Sequence, residues 1–330
     1  IRYAPLTIPF LISLIPEDIK AEVEVYDEGV ESIDRSKIHA DLVAISSVTG
    51  GVMRAYSYAD YFRSRSVPVV MGGVHATLQT EEAMCHADAV VKGIAVKTWP
   101  RLLRDFENGE MQKLYEQNEP VDFSNWPVPR RDCYETKKRK FITINSVQAS
   151  FGCPNNCLFC VTPCTVQGYH HRPIEDVVRE ISLIKSRHII FVDPSPIEDP
   201  DYAKRLYRAL IPLKKKWFSP CTIKMAFDDE MLELAAASGC TGLLIGFESI
   251  TKSAIQDMHK GFNSPDNYLL AVRKFHEKGI AIMGCFVFGL DSDEKTVFKR
   301  TVDFISEAGI DLPRFTVCTP YPRTPLYRKL

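Results

Sequence analysis

Three cysteines stand close together in Ser150-Phe151-Gly152-Cys153-Pro154-Asn155-Asn156-Cys157-Leu158-Phe159-Cys160, a C-x3-C-x2-C spacing. Thiolates ligate metal, and three of them on one short loop can hold three irons of a [4Fe–4S] cube while the fourth iron keeps no protein ligand. An open coordination position separates catalytic from structural metal sites, because a small molecule can bind there and react. Two other readings use the same residues. With Cys164 the run becomes C-x3-C-x2-C-x3-C, which would close either a structural zinc site or an electron-transfer cluster. Zinc modules more often split their ligands into two pairs across a longer loop, and small ferredoxins are not embedded in long α/β chains. The open cluster is therefore the expected arrangement. Cys153, Cys157 and Cys160 are its metal ligands, and Cys164 is a thiol packed beside it.

The loop follows an apolar, strand-like run, Phe141 to Val147, and places the aromatic Phe159 just before its last cysteine. In these features it resembles the radical S-adenosylmethionine (SAM) superfamily. The resemblance implies that SAM chelates the free iron through its amino and carboxylate groups, and that one electron from the cluster cleaves it to a 5′-deoxyadenosyl radical. An electron donor such as flavodoxin or ferredoxin is then implied as a partner.

The elements that must position this loop follow a βα rhythm. Ile174, Val177, Val178, Ile181 and Ile184 fall on one helical face. Strands are expected over 188–192, 222–226, 242–247, 280–288 and 315–319, with helices over 202–210, 231–237, 267–278 and 294–308. The helix beginning at Tyr202 should stop by Ile211, because Pro212 cannot continue it. Counting the run before the cysteines, this array fits a partial (β/α)6 barrel, the fold that the resemblance also implies. Function then belongs at the carboxyl ends of the strands.

The first half has its own alternation. Strands are expected at Ala21–Tyr26, Asp41–Ser46, Val67–Met71 and Ala87–Val91, with crossover helices at Tyr56–Ser64 and Thr80–His86. This pattern predicts a doubly wound parallel sheet, whose ligands bind at the carboxyl ends of its strands. Small and hydroxylic residues collect there: Ser46 to Gly51, Gly72 to Thr77 and Gly93 to Ala95. Plain turn chemistry explains any one glycine pair. Together with Glu81-Glu82-Ala83 and Ala87 to Val91, the run Met71-Gly72-Gly73-Val74-His75-Ala76-Thr77 resembles the cobalamin-binding domain that precedes the core in one radical SAM subgroup. That likeness implies cofactor contacts from Ser46, Thr49, Gly72, Gly73, His75, Thr77 and Gly93, with His75 a loop contact and not necessarily a cobalt ligand. Two departures stand out. Gly93-Ile94-Ala95-Val96 replaces an expected acidic loop, and the family's first strand would lie before Leu6–Leu14, where this chain starts too late to contain it. The opening Ile1 reads as that of a fragment.

The expected organisation is thus a cobalamin-binding-like domain over 1–118, a linker over 119–140 and a radical SAM core over 141–330. The linker holds Pro120, Pro127 and Pro129 among many charges, and is expected to drape over both domains. Within the core, the resemblance assigns SAM or substrate contacts to Phe159, Asp193, Gly246, Glu248 and Ser249, with Gly246 letting SAM approach. Asp193-Pro194-Ser195 departs from an expected Asp-Asp-Asn. Thr319 to Tyr327 matches the segment that ends the core, except that Arg323 stands where glycine is usual. Cys285 and Cys318 read as buried core thiols.

Composition narrows the partners. The chain has 330 residues, 45% hydrophobic and 25% charged, with a net charge of −1. That balance gives no global field for nucleic acid or an anionic membrane. The basic runs 137–140 and 214–216 read as solvated faces. No stretch reaches the length of a membrane span, and ten cysteines in a chain of this length do not make a disulfide scaffold. The grouping of four of them, Cys153 to Cys164, around one loop predicts a reducing, cytoplasmic, oxygen-poor setting. The pattern is most similar to lipid- and tetrapyrrole-modifying members such as hopanoid methylases and anaerobic magnesium-protoporphyrin ester cyclases. It points first to methylation of an unactivated carbon on a lipid, tetrapyrrole or other small molecule. Oxidative cyclisation or rearrangement comes second, and a non-catalytic cobalamin or iron–sulfur module third.

Overall fold

The computed structural model describes residues 2–117, 119–134 and 142–330. The chain divides into two compact units, Ile1–Thr143 and Ile144–Leu330. The first contains β1 (Arg2–Tyr3), α1 (Thr7–Ser13), β2 (Val43–Ser46), α2 (Val52–Arg63), β3 (Val69–Gly72), α3 (Gly73–Leu78), α4 (Thr80–His86), β4 (Ala89–Lys92), α5 (Thr98–Glu107) and β5 (Leu114–Glu116). Strands β2 to β5 pair in that order, all parallel. Alternate side chains of the central strands go to opposite faces. Val69, Met71 and Val90 join a core with α2 and α4, while Val70, Ala89 and Val91 join another with Trp99 and Leu102 of α5. Burial on both faces is why these strands read as continuous apolar runs.

The expected strand Ala21–Tyr26 is absent, and of its residues only Val25 is buried. Alternation cannot make a strand without a ladder to join. In a doubly wound sheet of order 2-1-3-4-5 the second strand pairs only with the first. Among the described residues the four-stranded sheet begins at β2, and 21–26 joins no ladder in it. The proline-rich stretch after β5 is packed and not loose. Trp126 lies against Phe10 of α1 and Phe123, with ring centroids 5.0 and 5.3 Å away, and the Arg130 amide donates to the carbonyl of Pro9 at 2.9 Å. Residues 135–141 lie outside the described residues, and with them the basic run 137–140 and the expected strand start at Phe141.

The second unit contains β6 (Thr143–Val147), β7 (Ser150–Gly152), α6 (Thr162–Thr165), β8 (Tyr169–His171), α7 (Ile174–Leu183), β9 (His188–Phe191), α8 (Pro200–Leu210), β10 (Lys216–Cys221), α9 (Asp229–Ala237), β11 (Cys240–Glu248), α10 (Lys252–Asp257), α11 (Tyr268–Glu277), β12 (Ala281–Phe288), α12 (Val297–Ala308), β13 (Leu312–Val317) and α13 (Pro325–Lys329). Its strands run β6-β9-β10-β11-β12-β13, every pair parallel, and form a half-barrel. Val147, Ile189, Phe191, Leu243, Ile245, Phe247, Ile282 and Phe286 pack with Ile181, Leu206 and Tyr207 of the helices in one core. By the period of two, Ser146, Ile190, Gly246 and Cys285 face the opposite side. Cys285 and Cys318, expected as buried core thiols, are only partly buried.

Local rules account for most boundaries. Helix α8 starts at a side-chain cap, Asp199 accepting from the Tyr202 amide at 3.0 Å, and ends at Leu210, short of Pro212. One strand was misplaced. Most of the expected 222–226 lies in a 3-10 turn, Ile223–Phe227, and the strand is Lys216–Cys221. Its charged start and Pro220 masked it. The neighbouring basic run is only partly solvated, since the Lys215 ammonium donates to the carbonyls of Ile184 and Ser186.

Leu206 is 1% exposed. Leu206→Ala should lower the unfolding free energy of this unit by about 2–5 kcal/mol. Urea unfolding followed by circular dichroism measures it, with exposed Lys214→Ala expected to stay within about 0.5 kcal/mol of the parent.

Candidate metal and cofactor centre

The cysteine loop is closed at its base by a short antiparallel hairpin. β7 pairs with β8 through Ser150 and His171, Phe151 and His170, and Gly152 and Tyr169. Gly152 immediately precedes Cys153 and has φ +72°, and a Cβ there would lie 2.1 Å from the carbonyl oxygen of Gly168. Only glycine fits. Inside the loop the Cys160 amide donates to the Cys157 carbonyl at 3.1 Å, and Asn155 Nδ2 donates to Cys153 Sγ at 3.4 Å. Two neighbours fasten the loop at Leu158. Its amide donates to the carbonyl of Met258 at 3.0 Å, and its carbonyl accepts from the amide of Leu326 at 3.0 Å. Phe159 packs on Ala254, Ile255 and Met258.

Behind the hairpin lies a buried polar frame. Asp193, at the carboxyl end of β9 and 0% exposed, accepts from the Ala149 amide at 3.1 Å, from the Ser150 amide and from Ser150 Oγ at 2.6 Å. Its carboxylate is thus engaged by the protein's own backbone at the start of β7. Arg172, just past β8, pairs with Glu180 of α7 at 2.6 Å, with side chains 5% and 0% exposed. The Arg172 amide donates to Ala149, and its own carbonyl accepts from Tyr202 Oη at 2.8 Å. No motif in the sequence points to Arg172 or Glu180.

The three thiols feel one another. Burial pushes the Cys157 thiol up to about 11; Lys260 pulls the other way, and Cys160 and Cys153 add to the rise. Cys153 is also raised by burial. Metal ligation relieves that cost by taking the thiolates as ligands. Among the described residues no three His, Cys, Asp or Glu side chains are gathered as ligands of a single ion. The ligands of a cube each bind a different iron, so they need not converge on one point. Cys164 stands apart, its thiol donating to the Arg323 carbonyl at 3.4 Å.

At the carboxyl end of β11 a register shift between Gly246 and Glu248 interrupts the ladder to β12, and Glu248 takes φ +63°. Its carboxylate pairs with Lys260 at 2.5 Å, both side chains 9% exposed. Lys260 and Asn263 also donate to the Gly246 carbonyl, at 3.0 and 2.8 Å. A Cβ on Gly246 would lie 2.3 Å from Glu248 Oε1 and 2.7 Å from Lys260 Nζ. In this structure, therefore, Gly246 makes room for the chain's own ion pair. Ser249 is buried, with its hydroxyl 3.1 Å from that of Thr251. Lys260 and Asn263 escaped the sequence reading because a Lys-Gly-x-Asn stretch reads as a solvated loop.

In the first unit, Ser46, Thr49, Gly72, Gly73, His75, Thr77 and Gly93 gather at the carboxyl ends of β2, β3 and β4. Gly73 (φ +90°) sits where a Cβ would meet Ser46 Oγ at 2.7 Å. Thr77 Oγ1 donates to the Gly73 carbonyl at 2.9 Å and accepts from the Gly93 amide at 3.0 Å, stitching two loops together. His75 is buried under this edge, its Nδ1 3.2 Å from Thr49 Oγ1 and its Nε2 3.2 Å from Tyr56 Oη. Both ring nitrogens are engaged, so the histidine acts as a brace for the Thr49 loop. Among the described residues the buried Ser47 hydroxyl has no hydrogen-bond partner, and none of them lies within 4 Å of a Cβ built on Gly50, Gly51 or Gly93. That open, hydroxyl-edged cradle fits a ligand resting on the strand ends.

Two outcomes follow. Gly152→Ala should leave a folded chain that retains little iron and sulfide after anaerobic reconstitution, measured by elemental and sulfide assay. Burial pushes the Asp193 carboxyl up to about 6, so the folded chain holds a proton that the unfolded chain has already released. Stability from this group is fullest below about pH 4 and is lost as pH rises through about 6. Urea midpoints across that window should fall for the parent chain and stay flatter for Asp193→Asn.

Comparison with known proteins agrees with this geometry. The family model described as Radical SAM superfamily matches residues 147–305. Bacteriochlorophyllide d C-12(1)-methyltransferase of Chlorobaculum tepidum is 32% identical over 300 residues, covering 88% of this chain and 66% of that protein. Bacteriochlorophyllide d C-8(2)-methyltransferase of the same organism is 29% identical, covering 97% of this chain and 74% of the relative. The chain thus spans about two thirds to three quarters of the length of these curated relatives. Among solved structures, the radical SAM methyltransferase TsrM from Kitasatospora setae, with cobalamin and a [4Fe–4S] cluster bound, superimposes with TM-score 0.74 at 19% identity, covering 89% of this chain and 67% of that one. A cysteine triad on a hairpin-closed loop at the mouth of a parallel half-barrel, in a chain with these relatives, makes this protein a member of the radical SAM superfamily.

Proposed function

We propose that this protein is a cobalamin-dependent radical SAM methyltransferase that acts on an unactivated carbon, with a tetrapyrrole as the favoured substrate class. The observation that carries the reading is the hairpin-closed triad Cys153, Cys157 and Cys160, which would leave one iron of a bound cube open. Support for methylation, and for tetrapyrroles over lipids, comes from the two bacteriochlorophyllide d methyltransferases among its relatives.

In this reading the three cysteines hold the cluster, and the β11 end with Glu248 and Ser249 borders the SAM position. The cradle of Ser46, Ser47, Thr49, Gly73, Thr77 and Gly93 takes cobalamin. When bound, these groups supply an adenosyl radical and a methyl carrier. The chain's part is to orient and to exclude water. Phe159 with Ala254, Ile255 and Met258 lines one side of the loop with apolar surface. The buried Glu248–Lys260 pair presents a fixed dipole in a water-poor site, where such charges act strongly. Asp193, buried and hydrogen-bonded to Ala149 and Ser150, holds the start of the hairpin in place beside the cluster loop.

Anaerobic reconstitution with iron, sulfide, SAM and dithionite should release 5′-deoxyadenosine from the parent chain, and at most about a hundredth as much from Cys157→Ala. With cobalamin and a chlorophyllide-type acceptor, S-adenosylhomocysteine should appear as well. Release of 5′-deoxyadenosine alone with a ring-closed product would instead mark a cyclase. Zinc in place of iron, or no SAM cleavage, would sink the proposal.

A further inference from the structure

Past the end of β9 Ser195 follows Pro194, and Ser195 is buried. Its hydroxyl donates to Glu198 Oε1 at 2.8 Å. Glu198 is itself enclosed, its side chain 3% exposed, and its other oxygen pairs with Lys224 Nζ at 2.9 Å. Thr222 Oγ1 lies 3.5 Å from Glu198 Oε1. Lys224 belongs to the 3-10 turn Ile223–Phe227 that follows β10. A buried carboxylate is tolerated only when it is paired and hydrogen-bonded. The acid at the end of β9 therefore holds the lysine after β10 in one place.

That lysine reaches the cysteine loop. Its ammonium donates to Asn155 Oδ1 at 3.5 Å, and Asn155 Nδ2 donates to Cys153 Sγ at 3.4 Å. An ammonium can only donate, and a side-chain amide accepts at its oxygen and donates at its nitrogen. The Lys224 charge thus decides which way the amide faces, with oxygen toward the ammonium and N–H toward the sulfur. Among the described residues Asn155 is the one side-chain donor that reaches a sulfur of the triad. The loop, the end of β9 and the turn after β10 converge on a single thiol.

We propose that Asn155 raises the reduction potential of the cluster through its hydrogen bond to Cys153, and that Lys224, held by Glu198 and Ser195, is a positioning residue that acts through Asn155. The inference rests on the reading of Cys153, Cys157 and Cys160 as cluster ligands, and adds to it the residues that tune the cluster. A donor to a thiolate ligand favours the state with more negative charge, which for a cluster is the reduced one. Partners of this kind orient the ligands of a metal and adjust its properties without touching the metal. The step concerned balances simply: a one-electron reductant such as dithionite loses an electron, the cluster gains it, and no bond or proton moves. Asn155 is neutral, so its removal separates the hydrogen bond from the through-space effect of the lysine charge.

The test is a potentiometric titration of the anaerobically reconstituted chain with dithionite, the reduced cluster being read by electron paramagnetic resonance. A midpoint does not depend on what share of the sample is loaded, so partial loading of a variant leaves it readable. Asn155→Ala should make reduction about threefold to tenfold less favourable, tenfold being about 59 mV for one electron. Asn155→Asp keeps the size of the side chain and replaces the donor with an acceptor, so it should lower the midpoint further. Lys224→Met should lower the midpoint in the parent chain, and by less in the Asn155→Ala background. Lys224→Arg, which keeps the charge and a donor, should stay closer to the parent than Lys224→Met does. Lys214→Met makes the same charge change before the amino end of β10 and should keep the parent midpoint. A parent midpoint in both Asn155 variants would overturn the proposal. A Lys224→Met shift of equal size with and without Asn155 would overturn the positioning role, because the lysine would then act by charge alone. A parent chain with no dithionite-reducible cluster would remove the reading of the loop itself, and the tuning proposal with it.

Discussion

A buried carboxylate sets the geometry on which the metal loop depends. Asp193 ends β9 and binds the first backbone groups of β7, so the strand that leads into Cys153 is referenced to the barrel sheet and not to the loop. Hydrogen bonds to a charged acceptor are worth about 1.5–3 kcal/mol each when buried, against a desolvation cost of several kcal/mol for the carboxylate. The balance is narrow, as the raised carboxyl shows, and its return is position. The hairpin cannot slide without abandoning a buried charge. Arg172 and Glu180 repeat the device on the other strand, so both ends of the loop are anchored by groups that tolerate no water.

Around that fixed base, two of the second unit's four described non-glycine residues at positive φ lie near the expected site. Glu248 and Arg323 both take positive φ without being glycine, one at the carboxyl end of β11 and one beside the cysteine loop. Such strain persists only where the surroundings over-determine it. For Glu248 the surroundings are Lys260, Asn263 and the register shift at Gly246. A buried pair of this kind is weak evidence for stability, since an apolar pair could often replace it, but it holds charge in a defined place.

The fold supports many chemistries, and its likeness to solved structures at 19% identity speaks for architecture. Function rests on the site: three thiols on one pinned loop, a strained acidic strand end and a hydroxyl-edged cradle in the first unit. Each uses backbone geometry that a neighbouring element imposes.

The cysteine spacing, the βα rhythm and the glycine-rich strand ends were legible in the sequence because each is a local signal. Thiol spacing, hydrophobic period and turn chemistry act within a few residues, so Cys153, Cys157, Cys160, Gly73 and the ends of α4 and α8 could be read directly. Other features needed the folded chain. Ala21–Tyr26 alternates like a strand but forms no strand among the described residues, whereas Lys216–Cys221 looks unlike one yet pairs with β9 and β11. The same holds for side chains. Asp193 is hydrogen-bonded to Ser150, 43 residues away in sequence, and the space above Gly246 is occupied by the ion pair of Glu248 and Lys260. Composition and period are properties of a segment, whereas pairing, burial and the satisfaction of a charge are properties of what the segment meets.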